Sequence, residues 1–487
     1  MRRSRSSTTR SALVALVALV LVLTAAAARA ELPRPVARAF LDAGVPLSHV
    51  AVVVQRVDAR RPLFAHQPDA PMNPASTMKL VTTFAALELL GPDYRWRTEA
   101  YLGGELVDGT LRGDLILKGH GDPKITIGQW QGFMADLRAH GLERIEGDLV
   151  LDRSHFAPIG HDPAAFDAEP LRPYNVGPDA LLVNFKSVRF AFEPNAAGDG
   201  VDLRMEPPLP QVALGPSPTL VDGDCGNWRR SLTGSFVNEP EAALVAFRGQ
   251  YPRGCGARDW NVALLDHPAY VHGMFAAYFA AAGGTFGGAV RDGRAPPAKP
   301  FAVLESMPLH DVIRDVNKLS NNVMARQLFL TLATTSGPPP ATIDGARETV
   351  RRWLAQRKLA SPGFHVDNGS GLSRTERVTA RGLAQLLAAA HASPVREELA
   401  GSLAIAAIDG TLERRMHNGS AAGRALLKTG SLEGVRALAG YLQGADETRW
   451  ILVAMVNHPN AARAQGALDF LADWTLRNAA SYTPPRH

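Results

Sequence analysis

Ser76-Thr77-Met78-Lys79 places a hydroxyl and an amine three residues apart. On a helix, positions i and i+3 share a face, so Ser76 and Lys79 can touch. The amino terminus of a helix is positive, which favours a developing alkoxide and lowers a nearby lysine pKa. Leu80 and Val81 follow directly, so the pair reads as partly buried, and an apolar setting makes lysine release its proton more readily. A neutral Lys79 could then take the Ser76 proton, which is serine nucleophile chemistry without histidine. Taken alone the spacing is a weak signal, because an ordinary helix start with a solvated lysine has it too. Two further segments carry compatible groups. In Ser320-Asn321-Asn322, Ser320 could relay a proton to a leaving amine and Asn322 could hold a substrate amide, although the same residues suit a plain polar turn. Lys318, two residues earlier, could sit over the same cleft. Lys428-Thr429-Gly430 ends a β-rich run and leads into Ser431, in ALLKTGSLEGV. Lys428 and Thr429 suit a substrate carboxylate, Gly430 lets another backbone approach closely, and the strand edge could take a peptide as an added strand.

The elements that must position these groups can be read around them. Ser48 to Val57 is rich in β-branched residues and predicts a strand. Ser76 to Leu90 predicts a helix, with Asn73-Pro74 at its start and Gly91-Pro92 stopping it. From about residue 98 short β runs alternate with Gly-Asp turns, as in GTLRGDLILKGHGDP and RIEGDLVLDRS, and this texture lasts to about residue 260. Helical patterning returns at His267–Ala282. The Gly- and Pro-rich stretch 283–300 reads as a linker. Helices are expected at 311–333, 342–358 and 462–478, with strands at 425–428, 437–442 and 450–456. The pattern describes one α/β unit made from both chain ends, with a β-rich insertion too long to be a loop.

Composition narrows the setting. Hydrophobic residues make up 46% and charged residues 20% of 487, enough for a large core. Arg2, Arg3, Arg5 and Arg10, an apolar run from Ala12 to Leu23, and Ala28-Arg29-Ala30 predict an export signal over residues 1–30. That segment holds five arginines and no acid. Removing it takes 52 basic residues to 47, equal to the 47 acidic ones, so no electrostatic footprint for nucleic acid remains. Two cysteines, Cys225 and Cys255, in an exported chain predict one disulfide. No His-Glu-x-x-His or Gly-x-Ser-x-Gly sequence occurs, and Gly119-His120-Gly121-Asp122 lacks the third glycine of a dinucleotide loop. Neither a metal nor a cofactor is expected. Ser370, in Gly-Ser-Gly without a nearby lysine, reads as a turn residue.

Ser-x-x-Lys, Ser-x-Asn and Lys-Thr-Gly, in that order, form the signature set of penicillin-recognising serine enzymes. The chain resembles the D-alanyl-D-alanine carboxypeptidase/endopeptidases of the penicillin-binding protein 4 type. The matching stretches are NPASTMKL, LILKGHGDP around Asp122, RPYNVGPDALLVN around Asn175, DNGSGLSR at 367–374 and KTGSLEGVRALAGY. The gap of 241 residues from Lys79 to Ser320 (320 minus 79) also matches, since that family carries two inserted domains there. The resemblance implies an α/β (α+β) fold of the penicillin-binding, serine β-lactamase-like kind. Its transpeptidase domain, a central antiparallel sheet flanked by helices, would span 31–97 and 300–487. Inserted domain II would take 98–187 and 262–299, and inserted domain III 188–261. It further implies acylation of Ser76, stem peptides and cross-links of peptidoglycan as substrates, β-lactams as covalent inhibitors, and a periplasmic location with at most peripheral membrane contact. A homodimer is left open. Arg374 is expected near the cleft, as an arginine on a Gly-Ser-rich loop suits a carboxylate. Asp152 is implied as an acid that meets the free amino acid centre of diaminopimelate. The chain departs from the family at Asn321, where aspartate is commoner. Rival readings are a β-lactamase, which shares all three motifs, and a non-catalytic peptidoglycan-binding protein.

Overall fold

The computed structural model describes residues 32–239 and 241–482; the expected export signal lies outside the described residues. A six-stranded antiparallel sheet runs Ala404–Ile405, Ala425–Leu432, Val435–Gln443, Arg449–Asn457, Val50–Arg56 and Phe64–His66. Strands from the two chain ends are neighbours in it, with Val53 opposite Val453. Its central strands are mostly apolar, as expected of strands covered on both faces. Alternate residues point to opposite sides. Val53, Ala437, Ala439, Ile451, Val453 and Met455 join a core with helices Lys79–Leu90, Leu309–Lys318, Asn322–Ala333, Ile343–Gln356 and Ala380–His391. Val52, Val54, Leu438, Leu452 and Ala454 face the terminal helices Arg34–Asp42 and Gln465–Asn478. The helix Lys79–Leu90 is buried from Lys79 to Leu87 on every side, which is why its sequence is apolar all round.

The insertion builds three more sheets. A seven-stranded one contains Arg97–Val107 and Thr110–Gly119, and the capped helix Ile127–Ala139 lies on it beside His267–Ala281. Thr126 and Gln129 close a reciprocal capping box at the start of the first helix. Smaller sheets of four and three strands occupy 188–262. One continuous apolar cluster, including Leu115, Phe133, Phe190, Phe247 and Phe275, joins all three. Cys225 and Cys255 are bonded to each other within this region.

Three expectations are corrected. The stretch 283–300 is not a plain linker: Thr285–Phe286 and Val290–Asp292 pair in parallel with Arg144–Ile145 and Leu149–Asp152. Ala302–Glu305 pairs with Arg97–Val107, so the inserted sheet extends past residue 300. The helix expected over 311–333 is two helices, broken at Leu319-Ser320-Asn321. No helix among the described residues is long and apolar enough to cross a membrane.

Candidate active site

Ser76 lies on a 3-10 turn, Ala75–Met78, and the α-helix begins only at Lys79. The turn is held tightly. Asn73 Oδ1 accepts from Ala75 N at 2.9 Å, and Asn73 Nδ2 donates to the Ser373 carbonyl at 2.9 Å. Asn457, at the end of a sheet strand, accepts from Asn73 N at 2.8 Å and donates to its carbonyl at 3.0 Å. Ala75 has φ +45°, a conformation that costs a non-glycine residue ~1–3 kcal/mol and persists only where surroundings impose it. Gly371 and Gly430 impose it from two sides. A Cβ on Gly371 would lie 2.0 Å from the Ala75 carbonyl oxygen, and one on Gly430 would lie 2.7 Å from that of Pro74. Gly430 thus has the close backbone neighbour that its residue type suggests.

Lys79 is fully buried directly beneath Ser76. Its Nζ donates to Ser76 Oγ at 3.1 Å, to Asn322 Oδ1 at 2.6 Å and to the Ser370 carbonyl. Burial holds its pKa well below that of an ordinary lysine, and the charges of Lys428 and Arg326 push the same way, against Glu376. Ser76 itself is only half-buried. A second lysine, Lys428, is also fully buried and is pushed down to about 7 by that burial. It donates to Ser320 Oγ at 2.8 Å and to the Thr429 carbonyl at 2.9 Å. Ser320 sits in the helix break with φ +57°, and the Asn321 side chain caps the next helix by accepting from Met324 N at 3.1 Å. Asparagine and aspartate cap about equally well, so the departure at Asn321 keeps this local structure. The short strand Ala404–Ile405 covers only Leu426 and Leu427, and the rest of that strand's edge, from Lys428 to Leu432, has no strand beside it among the described residues. A buried amine against a half-exposed hydroxyl, a second amine–hydroxyl pair and an open strand edge are what acyl transfer on a peptide needs.

Residues 33–476 match the model of the D-Ala-D-Ala carboxypeptidase 3 (S13) family. The chain belongs to this family. It is 25% identical over 423 residues to the D-alanyl-D-alanine carboxypeptidase DacB of Haemophilus influenzae, covering 84% of this chain and 85% of that one. It is 28% identical over 462 residues to the D-alanyl-D-alanine carboxypeptidase of an Actinomadura species, covering 89% and 82%. The crystal structure of penicillin binding protein 4 from Haemophilus influenzae shares its fold, with TM-score 0.74 at 23% identity over 90% of this chain and 99% of that one. This S13 enzyme is therefore of the serine D-Ala-D-Ala carboxypeptidase type on a penicillin-binding fold.

The structure of this S13 chain also sorts the outlying expectations. Thr429 Oγ1 donates to Thr411 Oγ1 at 2.8 Å, and Ser431 is exposed on the same strand. Arg374 is half-exposed at the rim, 3.3 Å from the Glu433 carbonyl, with its guanidinium 4.5 Å from the Phe166 ring centre. The Lys318 amine is bound to Asp409, beside the turn carrying Thr411. Asp152 lies in the inserted sheet. It is buried, and its oxygens are taken by Ser154 Oγ and N and by Ala295 N. Among the described residues no hydrogen bond joins it to the cluster around Ser76. Among the described residues no group of acids, histidines and cysteines could hold a metal.

Several residues at this site escape a sequence reading. The Ser370 side chain makes the expected turn, accepting from Leu372 N at 3.1 Å, while its carbonyl does the unexpected work of meeting Lys79. Phe166 comes from the insertion and packs on Ala75, Leu372, Leu432 and Val435. Asn175 steadies its loop, donating to Asp167 Oδ1 at 2.7 Å. Asn73 and Glu376 complete the set. Asn-Pro just before the motif was the one available signal for Asn73.

Proposed function

We propose that Ser76 is the nucleophile of this D-Ala-D-Ala carboxypeptidase and Lys79 its general base. The observation that carries the proposal is the buried Lys79 amine 3.1 Å from Ser76 Oγ. Neutral Lys79 takes the hydroxyl proton as Ser76 Oγ bonds to the carbonyl carbon of the penultimate residue. As that C–N bond breaks, the leaving amine takes a proton through Ser320, which Lys428 holds. Water then hydrolyses the ester and frees Ser76. Asn322 orients a substrate amide while it accepts from Lys79. The peptide lies along the edge from Lys428 to Leu432 as an added strand, with its terminal carboxylate among Lys428, Thr429, Ser431 and Arg374. The substrates on this reading are peptidoglycan stem peptides and cross-links, β-lactams acylate the same serine, and the site of action is the periplasm, reached through the export segment 1–30.

The test is incubation of the purified protein with defined muropeptides, read by mass. Loss of one terminal D-alanine, or cleavage of cross-linked dimers, is expected from wild type and not from Ser76→Ala. Intact muropeptides with wild type would refute the proposal. Penicillin adds a second readout: a covalent adduct on the Ser76 peptide, hydrolysed over hours, fits the peptidase, and turnover in milliseconds would make the chain a β-lactamase.

A further inference from the structure

Glu376 has no solvent exposure, yet it lies two residues after Arg374 on the loop that frames the cleft. Its Oε1 accepts from three consecutive backbone N–H groups: Asp367 at 3.1 Å, Asn368 at 3.2 Å and Gly369 at 3.0 Å. Drawing three amides to one oxygen bends the chain there and sends the next carbonyls the other way. The Gly369 carbonyl accepts from Thr82 Oγ1 at 2.7 Å, and the Ser370 carbonyl accepts from Lys79 Nζ. Lys79 thus has one of its three acceptors placed by a side chain it does not touch.

The second oxygen, Oε2, is buried without a hydrogen-bond partner. An orphaned oxygen of this kind is costly, and the loop amides alone would be served by a single amide oxygen. The surplus is a charge, and its surroundings are few. Lys79 on its helix, Arg326 on the helix Asn322–Ala333 and Asp367 on the bent loop are the charged groups that act on Glu376 or that it acts on. Lys428 also acts on the Lys79 amine. Arg326 is engaged with the Tyr174 and Val176 carbonyls, and Asp367 with Arg347. Burial raises Glu376 to about 7 against the pull of its three amides. A carboxylate here favours a proton on Lys79, while burial, Lys428 and Arg326 favour its loss.

We propose that Glu376 is a positioning residue for acylation, which sets the Ser370 carbonyl on Lys79 by gathering the 367–369 amides and whose charge opposes the loss of the Lys79 proton. This rests on Lys79 being the base for Ser76. The rate of Ser76 acylation by benzylpenicillin should be measured from about pH 5 to about pH 9, where such shifted groups titrate, for wild type, Glu376→Gln and Glu376→Asp. Glutamine keeps an acceptor for the amides and removes the charge. Its acid limb should move to lower pH by ~0.5–1 unit, with a plateau within ~3-fold of wild type. Aspartate keeps the charge but falls one methylene short of the amides. Its acid limb should stay, and its plateau should fall ~10-fold or more as Lys79 loses its fixed acceptor. A purely structural acceptor would be replaced by glutamine with the limb left in place. A coincident limb for Glu376→Gln, or a wild-type plateau for Glu376→Asp, overturns the proposal. If Glu376→Gln does not fold, the Glu376→Asp plateau decides alone. Wild type that is not labelled on Ser76 overturns the active-site reading instead.

Discussion

Replacing Lys79 by methionine removes the amine and keeps most of the side chain's volume, so it isolates the base. Two costs and one gain follow from the structure. Asn322 Oδ1 and the Ser370 carbonyl each lose a donor, and a buried acceptor left without its partner costs ~1–3 kcal/mol. Against this, the folded state no longer keeps an amine out of water, the burden recorded by the low pKa of Lys79. The two effects oppose each other, so the variant should fold, with stability within ~2 kcal/mol of wild type. Chemistry has no such offset. Loss of a general base is worth ~10²–10⁴-fold, or ~3–5 kcal/mol at 1.36 kcal/mol per tenfold. Stopped-flow acylation by a fluorescent penicillin, with mass mapping of the labelled peptide, reads this directly. The expected result is a rate at least ~10²-fold below wild type with the residual label still on Ser76. A Lys79→Met rate within ~10-fold of wild type would show that another group takes the proton. If Lys428→Met were then the dead variant, Lys428 would be that group.

The remaining expectations are briefer. Amidating the substrate's terminal carboxylate should slow wild type far more than Lys428→Ala or Arg374→Ala, measured as kcat/KM, and equal penalties would remove both cations from the carboxylate site. Lys428 titrates near 7 when folded against ~10.4 unfolded. Between those values the unfolded chain holds more protons, so this lysine's contribution to stability rises with pH; urea midpoints at both ends of that window should diverge for wild type more than for Lys428→Met. Cys225→Ser with Cys255→Ser should lower the melting temperature, with ~3–4 kcal/mol expected from loop entropy. Penicillin acylation of the folded fraction should stay near normal, and a folded double variant that resists acylation would place the disulfide in the active site.

The three motifs were readable because each depends on local spacing. Lys428-Thr429-Gly430 ends apolar alternation that could only be a strand, and Ser76 to Lys79 is one turn whatever helix follows. The break at Ser320 was hidden because the apolar period resumes in phase after Asn321, and a single residue at φ +57° leaves no trace in that period. Strands at 285–286 and 290–292 were missed because glycine and proline around them signal turns, while the pairing that makes them strands lies about 140 residues away. The burial of Asp152 was not legible, because its strand is covered on both faces and an acid in the sequence gives no sign of that. The Ser370 carbonyl belongs to the backbone, which every residue has, so no residue type could announce it.

The six-stranded sheet beside Ser76 joins strands far apart in the chain, Val50–Arg56 against Arg449–Asn457. This order has a consequence for synthesis. Ser76 leaves the ribosome well before the strand bearing Lys428 and the strand that seats Val50–Arg56. Contacts that close so long a loop carry a large entropic cost and form late. Meanwhile the inserted sheets, whose partners lie closer in sequence, can fold as a unit of their own. A nascent chain cut short before Ala425 has Ser76, Asn73 and Asn322, yet it lacks the second amine and the sheet that holds Asn457 against Asn73. On the proposed reading, the chain carries no complete site until these strands are in place.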